Sequence, residues 1–158
     1  MTICAMALFS VASFAAPKTY ELTSPNGKFK MAVENGEGLT YTVAYDGDLL
    51  IDRSEINMLL TDGTIYGGIQ KAPKVTRRTV NQTLPAITYK KAQVVDNFNE
   101  MTLKYKAYSV VFRAYDEGVA YRFVSHAKDP FRVESECAEF NFAQDWNAWI
   151  PYVRQNEE

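Results

Sequence analysis

The chain is expected to fold as an all-β protein, an antiparallel two-sheet β-sandwich, and three observations carry that expectation. Apolar side chains recur at every second position through most of its 158 residues, the spacing of strands with one buried face. Turn signals interrupt this alternation at short intervals: Pro25-Asn26-Gly27, Asn35-Gly36-Glu37-Gly38, Asp46-Gly47, Asp62-Gly63, Gly67-Gly68 and Asp116-Glu117-Gly118. No window holds a convincing helical period, and the ten or so strands that result are too many for one open twisted sheet.

Taken in order, the first strand spans 19–23, and the second spans 28–34, where Phe29, Met31 and Val33 face one way and Lys28, Lys30 and Glu34 the other. Leu39, Tyr41, Val43 and Tyr45 alternate with threonines and an alanine to make a third strand over 39–45. Shorter strands follow at 49–52 and 55–60. The stretch 67–85, with two glycines, two prolines and four basic residues, shows little alternation and reads as a long loop or ragged edge. Strands resume at 87–95, 100–105, 108–115, 119–126 and 131–140. The best specified unit is the hairpin of Tyr108, Val110, Phe112 and Ala114 before a turn and Val119, Tyr121 and Phe123 after it. Gly118 is expected to take a positive φ at the end of that turn.

Composition narrows the function. One domain accounts for the length, and 47% hydrophobic and 13% aromatic residues are ample for a core. With 17 basic against 19 acidic residues, a formal net charge of −2 favours neither nucleic acid nor an anionic membrane. Met1 to Ala16 carries no charge and is almost wholly apolar or small. It reads as a secretory signal peptide over residues 1–16, with Ser13-Phe14-Ala15 offering a cleavage site before Ala16, although no Lys or Arg precedes Lys18. The domain then occupies residues 17–158 in a secreted or periplasmic protein. Cys4 would leave with the signal, so Cys137 has no partner for a disulfide and reads as a small buried apolar residue.

Candidate chemistry is sparse. The single histidine, His126, excludes a multi-histidine metal site, and no Gly-x-Ser-x-Gly elbow or phosphate-binding glycine motif is present. Glu134, Glu136 and Glu139 cluster; period two would place the first two on one face, where a solvated strand surface beside Arg132 is the simplest reading. Asp116 and Glu117 read as turn residues, and Lys71, Lys74, Arg77 and Arg78 as solvating charges. Trp146 and Trp149 are the candidates for carbohydrate contact, because an aromatic face can stack on the apolar face of a pyranose; the alternative for both is packing at the end of the sandwich.

The hairpin sequence Arg-Ala-Tyr-Asp-Glu-Gly-Val-Ala-Tyr-Arg-Phe, residues 113–123, closely resembles a stretch in the amino-terminal domain of glycoside hydrolase family 97. Ser24-Pro25-Asn26-Gly27-Lys28 and Tyr45-Asp46-Gly47 are similar to that domain's opening, Asn99-Glu100-Met101-Thr102-Leu103 to its middle, and Trp149-Ile150-Pro151-Tyr152 to its exit. The resemblance implies a galactose-mutarotase-like super-sandwich preceding a (β/α)₈ barrel that carries the catalytic carboxylates and acts on α-glucosides or α-galactosides. It implies calcium at the active site of the complete enzyme, with one glutamate ligand from near the end of the amino-terminal domain, a role that the context matches to neither Glu157 nor Glu158. This chain is thus expected to be non-catalytic, to pack on the barrel and to help shape a pocket for an oligosaccharide. A stand-alone carbohydrate-binding sandwich and a secreted structural domain without ligand are the alternatives.

Overall fold

Alternation along the first third of the chain produces a meander of β1 (Lys18–Thr23), β2 (Phe29–Asn35), β3 (Leu39–Tyr45) and β4 (Asp48–Leu60). The computed structural model describes residues 17–69, 73–86 and 90–147. In it a two-residue strand, β5 (Ile65–Tyr66), folds back on β4, and a second meander follows: β6 (Lys74–Pro85), β7 (Gln93–Lys104), β8 (Tyr108–Tyr115) and β9 (Gly118–Ser125). The last strand, β10 (Val133–Ala138), returns to the first sheet. The strand orders are β1-β2-β3-β4-β10, with β5 attached to β4, and β6-β7-β8-β9, all neighbours antiparallel. This is the two-sheet sandwich that the turn spacing predicts.

Period two sorts the faces. Tyr20 and Leu22 pair with Val33 and Met31, which pair in turn with Tyr41 and Val43, and all six are buried. From the other sheet Met101 and Leu103 pair with Phe112 and Val110, and these four are 0% exposed. Burial of a side chain of this size contributes about 1.5–3 kcal/mol, so the two facing stripes supply the main drive to stack the sheets. At one end, Tyr66, Tyr108 and Tyr105 stack with ring centroids 4.4 and 4.7 Å apart. The Tyr105 hydroxyl donates to Asn35 Oδ1, and Tyr108 Oη accepts the Gly67 amide.

Several boundaries differ from the sequence reading. Residues 49–52 and 55–60 belong to one strand, because the polar Asp52-Arg53-Ser54 step is a bulge: β3 advances two residues from Tyr41 to Val43 while β4 takes three from Ser54 to Ile51. Ser54 is fully buried there, donating to the Asp52 carbonyl and accepting the Asn141 amide. The stretch read as a loop over 67–85 contains β6, paired with β7 without interruption from Lys74↔Lys104 to Pro85↔Gln93. Its polar composition is that of an edge strand, where exposed charges and a terminal proline are tolerated. Residues 93–104 likewise form one strand; residues 87–89 lie outside the described residues. Gly118 is not in the left-handed region: it pairs with Tyr115, leaving Asp116-Glu117 as a two-residue turn. The β3–β4 turn instead uses Asp46 at φ 52 and Gly47 at φ 100, the pair of positive angles that suits a tight hairpin.

Candidate functional site

Four of the segments that carry the family resemblance meet in space at one end of the sandwich. Ser24 and Asn26 close the β1–β2 turn: Ser24 Oγ donates to Asn26 Oδ1 at 2.7 Å and accepts the Phe29 amide, and Asn26 Oδ1 also accepts the Lys28 amide. Gly27, at φ 79, completes the turn. The β8–β9 turn docks on it, since the Asn26 amide donates to Asp116 Oδ1 at 2.8 Å. The β3–β4 turn joins through the Asp46 amide and the Lys28 carbonyl, 2.9 Å apart. Asn99 Nδ2 donates to the Thr23 carbonyl, and Arg77 Nη2 to that of Glu21. The β8–β9 turn is thereby pinned to the β1–β2 turn through a side chain and the β3–β4 turn through a backbone bond, while Asn99 of β7 and Arg77 of β6 cap carbonyls of β1; loop amides that would otherwise need water are satisfied.

Beside this end, on the outer face of the second sheet, lies an ionic trio. Arg78, Glu100 and Arg113 occupy paired positions on β6, β7 and β8. Glu100 is 7% exposed and accepts from Arg78 Nε and Nη2 at 2.5 and 2.9 Å and from Arg113 Nε at 2.8 Å. The Arg78 guanidinium, opposed by burial and seconded by Arg113, holds the Glu100 carboxyl below the usual carboxylate range. Arg113 sits over Phe98, its guanidinium carbon 4.2 Å from the ring centroid, above a ring that is only 2% exposed. An open groove of about 600 Å³ runs from Glu21 and Thr23 past Arg77 and Asn99 to Arg78 and Glu100 of this trio. Sequence reasoning missed the trio because Arg78 was assigned to a loop. The signal was present in Glu100 and Arg113, each inside a segment quoted for the resemblance.

After β10 the chain runs antiparallel to the first half of β4. The Glu139 amide bonds the Glu55 carbonyl, the Asp52 amide the Asn141 carbonyl, Phe142 pairs with Ile51, and the Ala143 amide bonds the Leu50 carbonyl. This path carries Trp146 towards the β3–β4 turn, where it is 43% exposed. Trp149, Glu157, Glu158 and the leader over residues 1–16 lie outside the described residues.

The remaining candidates separate. Register slips between Val133 and Ser135, so Glu134 sits at a bulge and period two does not bring it onto the face of Glu136. Glu139 is tied elsewhere, accepting the Glu55 amide on Oε2. His126 Nε2 lies 2.9 Å from Ser109 Oγ, a buried hydroxyl away from any of the carboxylates named above. Burial pushes the Cys137 thiol up and leaves it poorly nucleophilic. Among the described residues no three His, Cys, Asp or Glu side chains converge as a metal site. Calcium therefore does not fit a site built from the described residues alone. Glu100 and Asp116, the carboxylates at the turn end that the network engages, are already committed to partners and do not form the free pair that glycoside cleavage needs.

The sequence matches the family of the glycosyl-hydrolase 97 N-terminal domain over residues 22–158. The chain belongs to that family. It is 33% identical, over its whole length, to a retaining alpha-galactosidase of Bacteroides thetaiotaomicron, of which it spans 24%. Among solved structures it is similar to a glycoside hydrolase family 97 enzyme from Pseudoalteromonas sp. strain K8, in complex with panose as a Glu-to-Gln variant and in complex with acarbose. The TM-score is 0.69 at 23% identity, covering 78% of this chain and 20% of that one. A beta-arabinopyranosidase is similar at TM-score 0.68 and 22% identity, covering 78% of this chain and 21% of its own. These structures share the fold; the chain spans about a quarter or less of each relative's length.

Proposed function

We propose that the chain is the non-catalytic amino-terminal sandwich of a longer, secreted or periplasmic glycosidase that hydrolyses α-glucosides or α-galactosides. The observation that carries this reading is the family match over 22–158 combined with the relatives' length: about three quarters of the alpha-galactosidase lies outside the matched part. The sandwich packs on a catalytic (β/α)₈ barrel, which needs about 250 residues of its own, and walls one side of the sugar pocket. Trp146 is the aromatic group offered to the sugar, with Trp149 beside it in sequence. Calcium, where the complete enzyme uses it, takes its ligands from outside the described residues, since no cluster among them suits an ion that needs six to eight oxygens. Residues 1–16 serve as the export leader and are removed.

The pinned turn end supports a scaffold role: its side chains are spent on holding loops, which suits a wall for a neighbouring domain better than a centre that moves protons. Reading the coding sequence past Glu158 and expressing whatever follows tests the proposal. Removing residues 17–147 from such a longer enzyme is expected to abolish activity or soluble yield; full activity without them would overturn it.

A further inference from the structure

The β6–β7 hairpin outgrows the sandwich. β7 pairs with β8 only as far as Phe98↔Tyr115, whereas its pairing with β6 runs on from Asn81↔Asn97 to Pro85↔Gln93 and closes with the Ala86 amide on the Ala92 carbonyl. At about 3.4 Å per residue this two-stranded arm reaches roughly 17 Å past the last pair that β8 supports. Among the described residues no third strand pairs with the arm, and its side-chain hydrogen bond, from Gln82 to Asp96 at 2.9 Å, is internal.

Such a ribbon is marginal in water by itself, and this one presents apolar groups on both faces. Leu84 and Val94 stand opposite each other on the side of Phe98, 44% and 40% exposed, while Val95 on the other side is 70% exposed. The arm overhangs the end of the sandwich at which the β1–β2, β3–β4 and β8–β9 turns are joined. After β10 the chain runs to that same end, with Trp146 approaching the β3–β4 turn. Polypeptide beyond Asn147 therefore sets out from the end that the arm overhangs.

Resting on the reading above, we propose that the β6–β7 arm is a clamp that reaches past the turn end and lays Leu84 and Val94 against the catalytic part of the longer polypeptide. The point of departure and the length beyond it name this occupant, since about three quarters of the alpha-galactosidase lies outside the matched part. Charge describes the surface that receives the clamp. Lys90 and Lys91, close to the tip, are exposed and make no ion pair among the described residues. The receiving surface is therefore apolar where it meets Leu84 and Val94 and carries carboxylates beside the tip, where they complement the two ammonium groups.

Photo-crosslinking tests the clamp in the longer polypeptide from its own gene, with benzoylphenylalanine built in at position 84. After irradiation and digestion, adducts are expected on peptides of the segment that carries the catalytic carboxylates. Adducts confined to any other segment, an adduct of doubled mass joining two copies, or no adduct at all would overturn the proposal. If that polypeptide nevertheless hydrolyses α-glycosides, the functional reading stands without the clamp; absence of any downstream hydrolase removes both. As an independent check, Leu84→Gln combined with Val94→Gln should leave the Tm of the 158-residue chain within about 3 °C, as at other exposed positions. The same pair should shorten the heat-inactivation half-life of the longer enzyme roughly 10-fold. A larger fall in the short chain, or an unchanged half-life in the long one, would also overturn the clamp, because the two side chains would then serve the hairpin alone.

Discussion

Replacing Glu100 by Gln tests the ionic trio with nearly constant shape. The carboxylate takes three hydrogen bonds from two guanidinium groups while almost buried, and Gln can return one or two of them, with its amide nitrogen turned towards a cation. Bonds to charged groups are worth about 1.5–3 kcal/mol each when buried, but Arg78 is mostly in water and rehydrates when released. A net loss of about 2 kcal/mol at pH 7 is expected, carried mainly by Arg113, which is held over Phe98. In a domain of this size that lowers Tm by roughly 4–8 °C. The pH dependence decides whether the charge is responsible. Glu100 titrates lower in the folded than in the unfolded chain, so its contribution is complete above the ordinary carboxylate value of 4.5 and is lost as pH falls through the folded value. Urea unfolding of both proteins between pH 7 and pH 3 should therefore show the curves converging at the acid end. A penalty that stays constant down to pH 3 would refute an ionic origin and leave only packing.

Three further outcomes follow from the same structure. Gly67→Ala should cost about 2–4 kcal/mol, because its Cβ would stand 2.4 Å from the Ile56 carbonyl oxygen at φ +91, whereas Gly118→Ala, with open space and no positive φ, should be neutral within about 1 kcal/mol; thermal denaturation of the pair checks both. Burial raises the Tyr41 phenol to about 12, so stability should hold below the ordinary value of 10 and fall by about 2–3 kcal/mol as pH rises through 12, with unfolding and phenolate absorbance at 295 nm appearing together. Trp146→Ala should leave the Tm within about 2 °C, as expected of a residue 43% exposed, while weakening sugar binding by the longer enzyme in a fluorescence titration; unchanged affinity would remove Trp146 from the pocket.

Period-two alternation made β2, β3 and β8 legible almost to the residue, because each carries an unbroken apolar stripe against the opposite sheet, although β8 is buried on both faces over Tyr108–Phe112. It failed on β6, where edge position lets arginines and threonines stand where apolar residues would in a central strand. It split β4 and β7 at polar steps whose side chains find partners only in the folded chain: Ser54 with Asn141, and Asn99 with Thr23. The turn end was half legible. Ser24, Asn26 and Asp116 announced turns, but that the turns touch one another depends on residues 90 positions apart. The trio needed the strand pairing of β6 before Arg78 and Glu100 could be seen as neighbours. The last strand was legible in part: one was expected over 131–140, and β10 occupies Val133–Ala138 of it.

The central claim is that this chain supports catalysis carried elsewhere in a longer polypeptide. Turnover of 4-nitrophenyl α-glucopyranoside and α-galactopyranoside, with the 158-residue chain beside the full product of its gene, tests it most directly. No turnover is expected from the short chain and hydrolysis of at least one substrate from the long one; turnover by the purified short chain at a rate comparable with the long one would contradict the claim.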